Sequence, residues 1–218
     1  MKKLLVIFVA LFVVSSIIYA KEIKGGVKAG INIANFSGDD ADPESGSGVD
    51  KTSRIGIVAG GFVAIPLNDQ FSLQPELLLS MKGAVYEASG TGWTVDSTMK
   101  LTYIEIPVLA KLNILSEGSV KPSVFLGPSI GIKASAKMKS EITVNGVSES
   151  AEEDMEDVKS LDLGLAFGGG IDIEAGTGKI TLDARYTMGL TSIDKAESGE
   201  TAADIKNSVI SIMAVYCF

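Results

Sequence analysis

The chain has 218 residues, of which 46% are hydrophobic, and its 19 basic against 27 acidic residues give a formal net charge of −8. There is no histidine, which excludes Ser–His nucleophilic chemistry and His-ligated metal centres. The acidic balance disfavours nucleic acid as a partner, and Cys217, the single cysteine, excludes an intramolecular disulfide and reads as a small apolar filler.

In chain order, MKKLLVIFVALFVVSSIIYA (1–20) reads as a secretory signal peptide: Lys2 and Lys3 form a basic start, Leu4 to Val14 an apolar core, and Ala20 a small residue at the cut. Ile18 is a less usual choice three positions before such a cut, and no cysteine comes after the core to accept a lipid anchor. The mature chain is then expected to begin at Lys21 and to form one domain over 21–218, two charges more acidic once Lys2 and Lys3 are removed. Beyond Ala20 no stretch approaches the roughly 18 apolar residues of a spanning helix.

The mature sequence instead alternates with a period of two, the mark of an extended strand with one apolar and one polar face. GGVKAGINIANF sets Val27, Ala29, Ile31 and Ile33 against Lys24, Lys28 and Asn32. RIGIVAGGFVAI sets Ile55, Ile57, Val63 and Ile65 against Arg54, and FSLQPELLLSMKGAVYE sets Phe71, Leu77, Leu79 and Met81 against Gln74, Glu76 and Lys82. LTYIEIPVLAKL opposes Ile104, Ile106, Val108 and Leu112 to Tyr103, Glu105 and Lys111. KPSVFLGPSIGIKA opposes Val124, Leu126, Ile130 and Ile132 to Ser123, Ser129 and Lys133. SLDLGLAFGGGIDIE, KITLDARYTMGL and NSVISIMAVYCF complete the series, with Asp162, Asp172, Asp183 and Arg185 on the polar parity and Leu163, Ile171, Leu182, Ile210 and Ile212 on the apolar one.

Eight such strands alternate long polar connections (37–53, 87–99, 137–159, 191–206) with short ones (66–70, 113–119, 175–178). Long loops on one rim and tight turns on the other are the layout of an outer-membrane barrel. Each segment supplies about 10–14 alternating residues, where a tilted spanning strand needs roughly 9–11. The fold class is therefore all-β, an eight-stranded antiparallel up-and-down transmembrane β-barrel. Its apolar face meets lipid, its charged face lines the lumen, and both mature ends and the short turns face the periplasm. Pro75, Pro107 and Pro128 interrupt the ladders and are expected to mark bulges, while Pro122 opens a strand. The glycines of 168–170 leave room for long neighbours and tight curvature, and no helix comes after them to form a phosphate cradle.

An eight-stranded barrel is narrow enough for side chains to fill, so inward charges must pair across it or bear a large desolvation cost. The expected interior network is Lys28, Arg54, Glu76, Lys82, Glu105, Lys111, Asp162, Asp172, Asp183 and Arg185. Counting from the nearest short turn puts Glu76, Glu105 and Arg185 at one depth, with Lys28 a similar distance from the mature start and Arg54, Lys82 and Asp162 in a second tier. The same charges could instead select ions in a narrow pore. No catalytic, cofactor or metal site is expected. The acidic runs 37–50 and 148–160 read as mobile, solvated loops. The spacing of Asp39, Asp40, Asp42 and Glu44 fails the Ca²⁺-loop pattern, and Trp93 in the second loop hints at a contact surface.

Together GVKAGINIANFSGD (26–39), LQPELLLSMKG (73–83), LTYIEIPVLAKL (101–112), PSVFLGPSIG (122–131), DLGLAFGGGIDIE (162–174), RYTMGLTSID (185–194) and VYCF (215–218) resemble the outer membrane protein beta-barrel domain family, which includes PorT-like proteins. The resemblance implies a small monomeric barrel of the cell outer membrane, and in it Tyr216 and Phe218 look like the terminal signal read by the barrel-insertion machinery. The expected partners are outer-membrane lipid and lipopolysaccharide, that machinery, and an extracellular or envelope protein held through the loops; a cofactor is not expected. The alternatives are a narrow ion or small-solute channel and a soluble lipocalin-like barrel, in which the apolar parity would face inward around an apolar ligand.

Overall fold

The computed structural model describes residues 23–114, 120–175, 178–195 and 201–218, leaving out the side chains of Val120, Glu174, Ala175 and Gly178. The signal peptide expected over 1–20 and the tight turns expected at 113–119 and 175–178 fall wholly or in part outside these residues.

Antiparallel strands make up the molecule: β1 (Lys24–Ser37), β2 (Val49–Pro66), β3 (Phe71–Gly90), β4 (Trp93–Asn113), β5 (Val120–Val144), β6 (Val147–Asp154), β7 (Leu161–Ala175), β8 (Gly178–Gly189) and β9 (Lys206–Cys217). Each pairs with its sequence neighbour except that β5 pairs with both β6 and β7, and β1 pairs with β9 (Ala29 opposite Ala214) to close the ring. β7 lies along β5 from Val120 to Ile132 and β6 from Lys137 to Val144, so these two share one place in a ring of eight. Closure leaves no edge around the ring, which is what a sheet in hydrocarbon requires.

The alternation decides the facing. Val27, Ile57, Leu77, Leu126 and Leu182 are all more than half exposed on the outer wall, whereas Lys28, Glu76, Lys82, Asp162, Asp183 and Arg185 are buried inside. A soluble barrel lined by the apolar parity is the inverse of this arrangement, and that reading falls.

The prolines do not break the ladders as expected. Pro75 pairs with Val108, Pro107 with Ser129 and Pro128 with Leu165, all without a shift of register. The shifts lie elsewhere. One falls in β2 between Ser53 and Val58, and the other in β5 at Ala134, where Thr102 faces Ser135 but Tyr103 faces Lys133. Beyond Ala134 the inward positions of β5 pass from odd to even numbers, so that Phe125 and Ala136 both point inside. Gly83 lies near the first shift with φ 134°, and a Cβ there would come 1.9 Å from the Met99 carbonyl oxygen. Gly83→Ala should therefore cost about 1–3 kcal/mol, read as a lowered urea midpoint for the barrel folded into lipid vesicles.

The long connections also differ from expectation. Residues 87–99 and 137–159 are mostly strand, because β3–β4 and β5–β6 run on as hairpins turning at 91–92 and at Asn145–Gly146. Asn145 (φ 50°) and Gly146 (φ 83°) supply the two positive φ values of a type I′ turn. The run 148–160 is thus a paired strand and then a fold-back segment, and 37–50 is anchored at Ala41, which is buried.

Candidate functional site

The candidate site is the lumen and the sheet that rises from it. Starting from the short-turn end, Lys111 lies 3.7 Å from Asp172, which also binds the Lys179 ammonium and accepts a hydrogen bond from Thr181. Phe62, Val215 and Cys217 on one side and Leu109, Phe125 and Ala166 on the other then fill the bore.

The next layer holds four charges from three strands. Glu76 (β3) accepts two hydrogen bonds from Arg185 (β8) at 2.9 and 3.0 Å, one from Lys28 (β1) at 2.8 Å and one from Gln74 at 2.7 Å. Asp183, also on β8, takes Lys28 at 3.2 Å and stands 3.9 Å from Arg185. Two cations thus meet two anions, with Lys28 5.3 Å from the Phe62 ring centre and Arg185 5.2 Å from that of Phe125. Rings beneath cations add attraction that survives desolvation.

Above it Val58, Leu78 and Met213 pack together, beside a polar bridge in which Asn32 donates to Ser80 at 2.9 Å and accepts from Ser211 at 2.8 Å. Lys82 then binds Glu105 and lies 3.4 Å from Asp162, with Tyr103 beneath its ammonium and Asn207 donating to Asp162 at 2.9 Å. Arg54, half-buried, donates to the Lys82 carbonyl at 2.6 Å. Phe36, Ala41, Ala84, Leu101, Tyr103, Ala136, Val158 and Ile193 cap the bore at the long-strand end.

The ten charged positions singled out in the sequence thus fall into three layers rather than two. Glu105 joins Lys82 and Asp162 instead of Glu76, since tilted strands stagger and equal counts along neighbours do not give equal depth. Lys111 and Asp172 form a separate layer at the rim. Tyr216 and Phe218 lie exposed on the outer wall with ring centres 6.4 Å apart. The sequence reading sets Gln74 and Asn32 on the inward parity without giving them partners and leaves out Lys179, Ser211 and Asn207; inward parity was the available signal, and the cross-barrel partners were not visible in it. Of the acidic residues in 37–50, Asp40 accepts from the Asp204 backbone N–H at 2.7 Å and Asp42 pairs with Lys51 at 2.6 Å, so they do not converge on one point.

Beyond the cap, β2 to β6 continue as a sheet whose rungs run Val49–Ala88–Val95–Ile142–Glu149. Its axis-side face carries Trp93, Ile142, Val144 and Val147, all exposed, with Trp93 opposite Val144 and Val144 opposite Val147. On the other face Glu152 of β6 ties Lys100 of β4 at 2.6 Å and Lys137 of β5 at 3.1 Å. Hydrogen bonds from these two lysines, with their charge, hold the Glu152 carboxyl down to about 2. A carboxyl held below its ordinary value helps to fix β6 at neutral pH, and that help is lost as the pH falls toward 2.

A model of a family described as outer membrane protein beta-barrel domain matches residues 19–195. None of the curated proteins matches the chain. Among solved structures it is similar to Ail, the attachment invasion locus protein of Yersinia pestis, at 15% identity and a TM-score of 0.40 over 90% of this chain and 99% of that one. Neisserial surface protein A is similar at 14% identity and a TM-score of 0.47 over 90% and 98%. OprG from Pseudomonas aeruginosa is similar at 13% identity and a TM-score of 0.44 over 91% and 97%.

Proposed function

This chain belongs to the outer membrane protein beta-barrel domain family and lies in the outer membrane, and on that premise we propose that it is a non-enzymatic, non-conducting surface barrel whose long hairpins make contacts outside the cell. The observation that carries this reading is the filled bore. Three charged layers alternate with apolar ones, and an apolar cap closes the long-strand end. Ions crossing it would have to break pairs whose members are each almost wholly buried. The buried charges are engaged with one another, as a structural plug requires, and with no histidine among them the usual acid–base partner of a nucleophile is missing. On the strength of the stretches it shares with that family, such as LTYIEIPVLAKL (101–112), we place the chain among the PorT-like small barrels. It acts there as a monomer, exported by the signal peptide over 1–20 and inserted through its Tyr216–Phe218 end.

The orientation rests on the strands. β3, β4 and β5 have 20, 21 and 25 residues, about twice the 9–11 that span the bilayer, and the surplus all lies at one end. A paired, polar-flanked sheet of that size has no use inside lipid and serves as a rigid platform outside it.

Purified barrel in planar lipid bilayers is expected to give no unitary conductance steps. Lys82→Gln should leave the record equally flat, because the Glu76 layer beneath still closes the bore. Discrete steps whose reversal potential tracks the salt gradient and changes in Lys82→Gln would replace this reading with that of a narrow channel.

A further inference from the structure

We propose that the free edge of β6 takes up an extended, basic segment of a partner protein as an added β-strand. This rests on the reading of the raised sheet as a contact platform and names the place and the chemistry of the contact.

The raised sheet has two edges, and the molecule treats them differently. At the β2 edge (Val49–Ser53) the connection from β1 folds alongside: Lys51 donates to the Phe36 carbonyl at 2.8 Å and pairs with Asp42 at 2.6 Å. At the β6 edge nothing described does the same. All eight residues of Val147–Asp154 are exposed, and among the described residues their only ladder is with β5. Alternate residues of such a strand point their N–H and C=O groups away from the neighbour they are paired with. An edge of this kind accepts another strand unless proline, charged side chains, a bulge or a cover prevents it. β6, VSESAEED, contains no proline, its register with β5 is unbroken, and its one guard is negative charge, which repels most strands but is neutralised by a basic one.

The charge on that edge selects the occupant. Glu149, Glu152, Glu153 and Asp154 crowd eight positions with no basic residue among them. A second copy presenting the same edge would set carboxylate against carboxylate, and like charges directly opposite are destabilising. Glu152 is held by Lys100 and Lys137, but Glu149 and Glu153 have no ion pair among the described residues. Both lie on the axis-side face with Val147, next to the exposed Trp93–Val144 pair. An antiparallel strand running from opposite Asp154 to opposite Val147 would meet Glu153 at its second residue, Glu149 at its sixth and Val147 at its eighth. The chemistry that fits is two arginines or lysines four residues apart, then an aliphatic side chain two residues later.

The test uses the full-length barrel in nanodiscs and a synthetic eight-residue peptide with Arg at positions two and six and Val at eight. Binding is read by the emission of Trp93, the only tryptophan. Saturable binding is expected, and it should weaken as salt rises. N-methylating alternate peptide residues should weaken it about tenfold or more for one set and little for the other, because only one set donates to β6. Glu149→Lys with Glu153→Lys should weaken it about tenfold and transfer the preference to a peptide with Glu at positions two and six. Absent binding, equal effects of the two N-methyl sets, indifference to the charge reversal, or edge-to-edge dimers of the barrel in detergent would each overturn the proposal. Cell-surface adhesion that disappears when both hairpins are trimmed at their turns, yet persists in the charge-reversed variant, would sink the β6 edge while sparing the platform. Adhesion that survives the trimming would sink the platform itself.

Discussion

Glu76→Ala is expected to lower the stability of the barrel by about 3–5 kcal/mol, the range for removing one partner from a buried ion pair. Glu76 is the sole acceptor for both Arg185 hydrogen bonds and the nearer of the two anions around Lys28. Without it, Asp183 alone faces two buried cations, and the layer carries an uncompensated positive charge in a space with little water. A loss of that size is a large part of the roughly 5–15 kcal/mol that holds a typical domain together. It should appear as a lowered urea midpoint in lipid vesicles and as a weaker compact band on gels of unheated samples. The companion variant separates pairing from packing. Glu76→Leu with Arg185→Leu removes one anion and one cation, leaves Lys28 with Asp183, and fills the space with apolar volume, an exchange that is often neutral. It should recover most of the lost stability. A double variant no better than Glu76→Ala would show that pairing is not what the layer provides, and a Glu76→Ala barrel as stable as the native one would show that water screens these charges.

The parts of the structure legible in the sequence are those where lipid imposes a rule. Leu77 against Glu76, Ile104 against Glu105 and Leu182 against Asp183 could be read as opposite walls because one wall must be apolar and the other need not be. Above the membrane that rule lapses. Residues 94–100 and 137–143 carry Thr, Lys, Asp and Glu on their outer face because water lies there, so the alternation fades although the ladders continue from Trp93 to Asn113 and from Val120 to Val144. The turn chemistry stayed visible. Asn145–Gly146 between Val144 and Val147 is a hairpin signal in its own right, and it marks the place where a loop was expected. The bulge at Ala134 left no such sign, since no proline or glycine stands there, and it shows only in the register against Thr102 and Tyr103 across the strand. The prolines misled for the converse reason: losing one donor does not change the number of residues between rungs, so Pro75 and Pro128 sit in unbroken register. For the lumen, parity gave the inward set. Which inward charges meet depends on the stagger of tilted strands, a property of the closed ring rather than of any one segment.

Arginine placed at exposed apolar positions is expected to carry a cost set by the medium around each. Leu79 lies outward on β3 near the middle of the apolar belt, between Ala59 and Ile104, and is 48% exposed on the bare protein. Leu79→Arg should cost about 2–4 kcal/mol, the range for a cation at the bilayer midplane of a barrel. Phe71, also outward, begins the same strand at the short-turn rim, and Phe71→Arg should cost about 0–1 kcal/mol because the guanidinium reaches the headgroups. Ile142 is as exposed as Leu79, at 47%, but stands on the axis-side face of the raised hairpin. Ile142→Arg should move stability by about 0.5 kcal/mol or less, as surface substitutions do. Equal exposure would then carry unequal cost: the two side chains are alike in their burial by protein, so the difference must come from the medium outside. All three are read from urea midpoints of the barrel refolded into vesicles of one lipid, with the same three in a short-chain detergent micelle, where the belt is softer and the profile should flatten. Should Leu79→Arg prove as mild as Ile142→Arg in vesicles, the outer parity is not in contact with hydrocarbon, and the barrel does not span a bilayer through these strands.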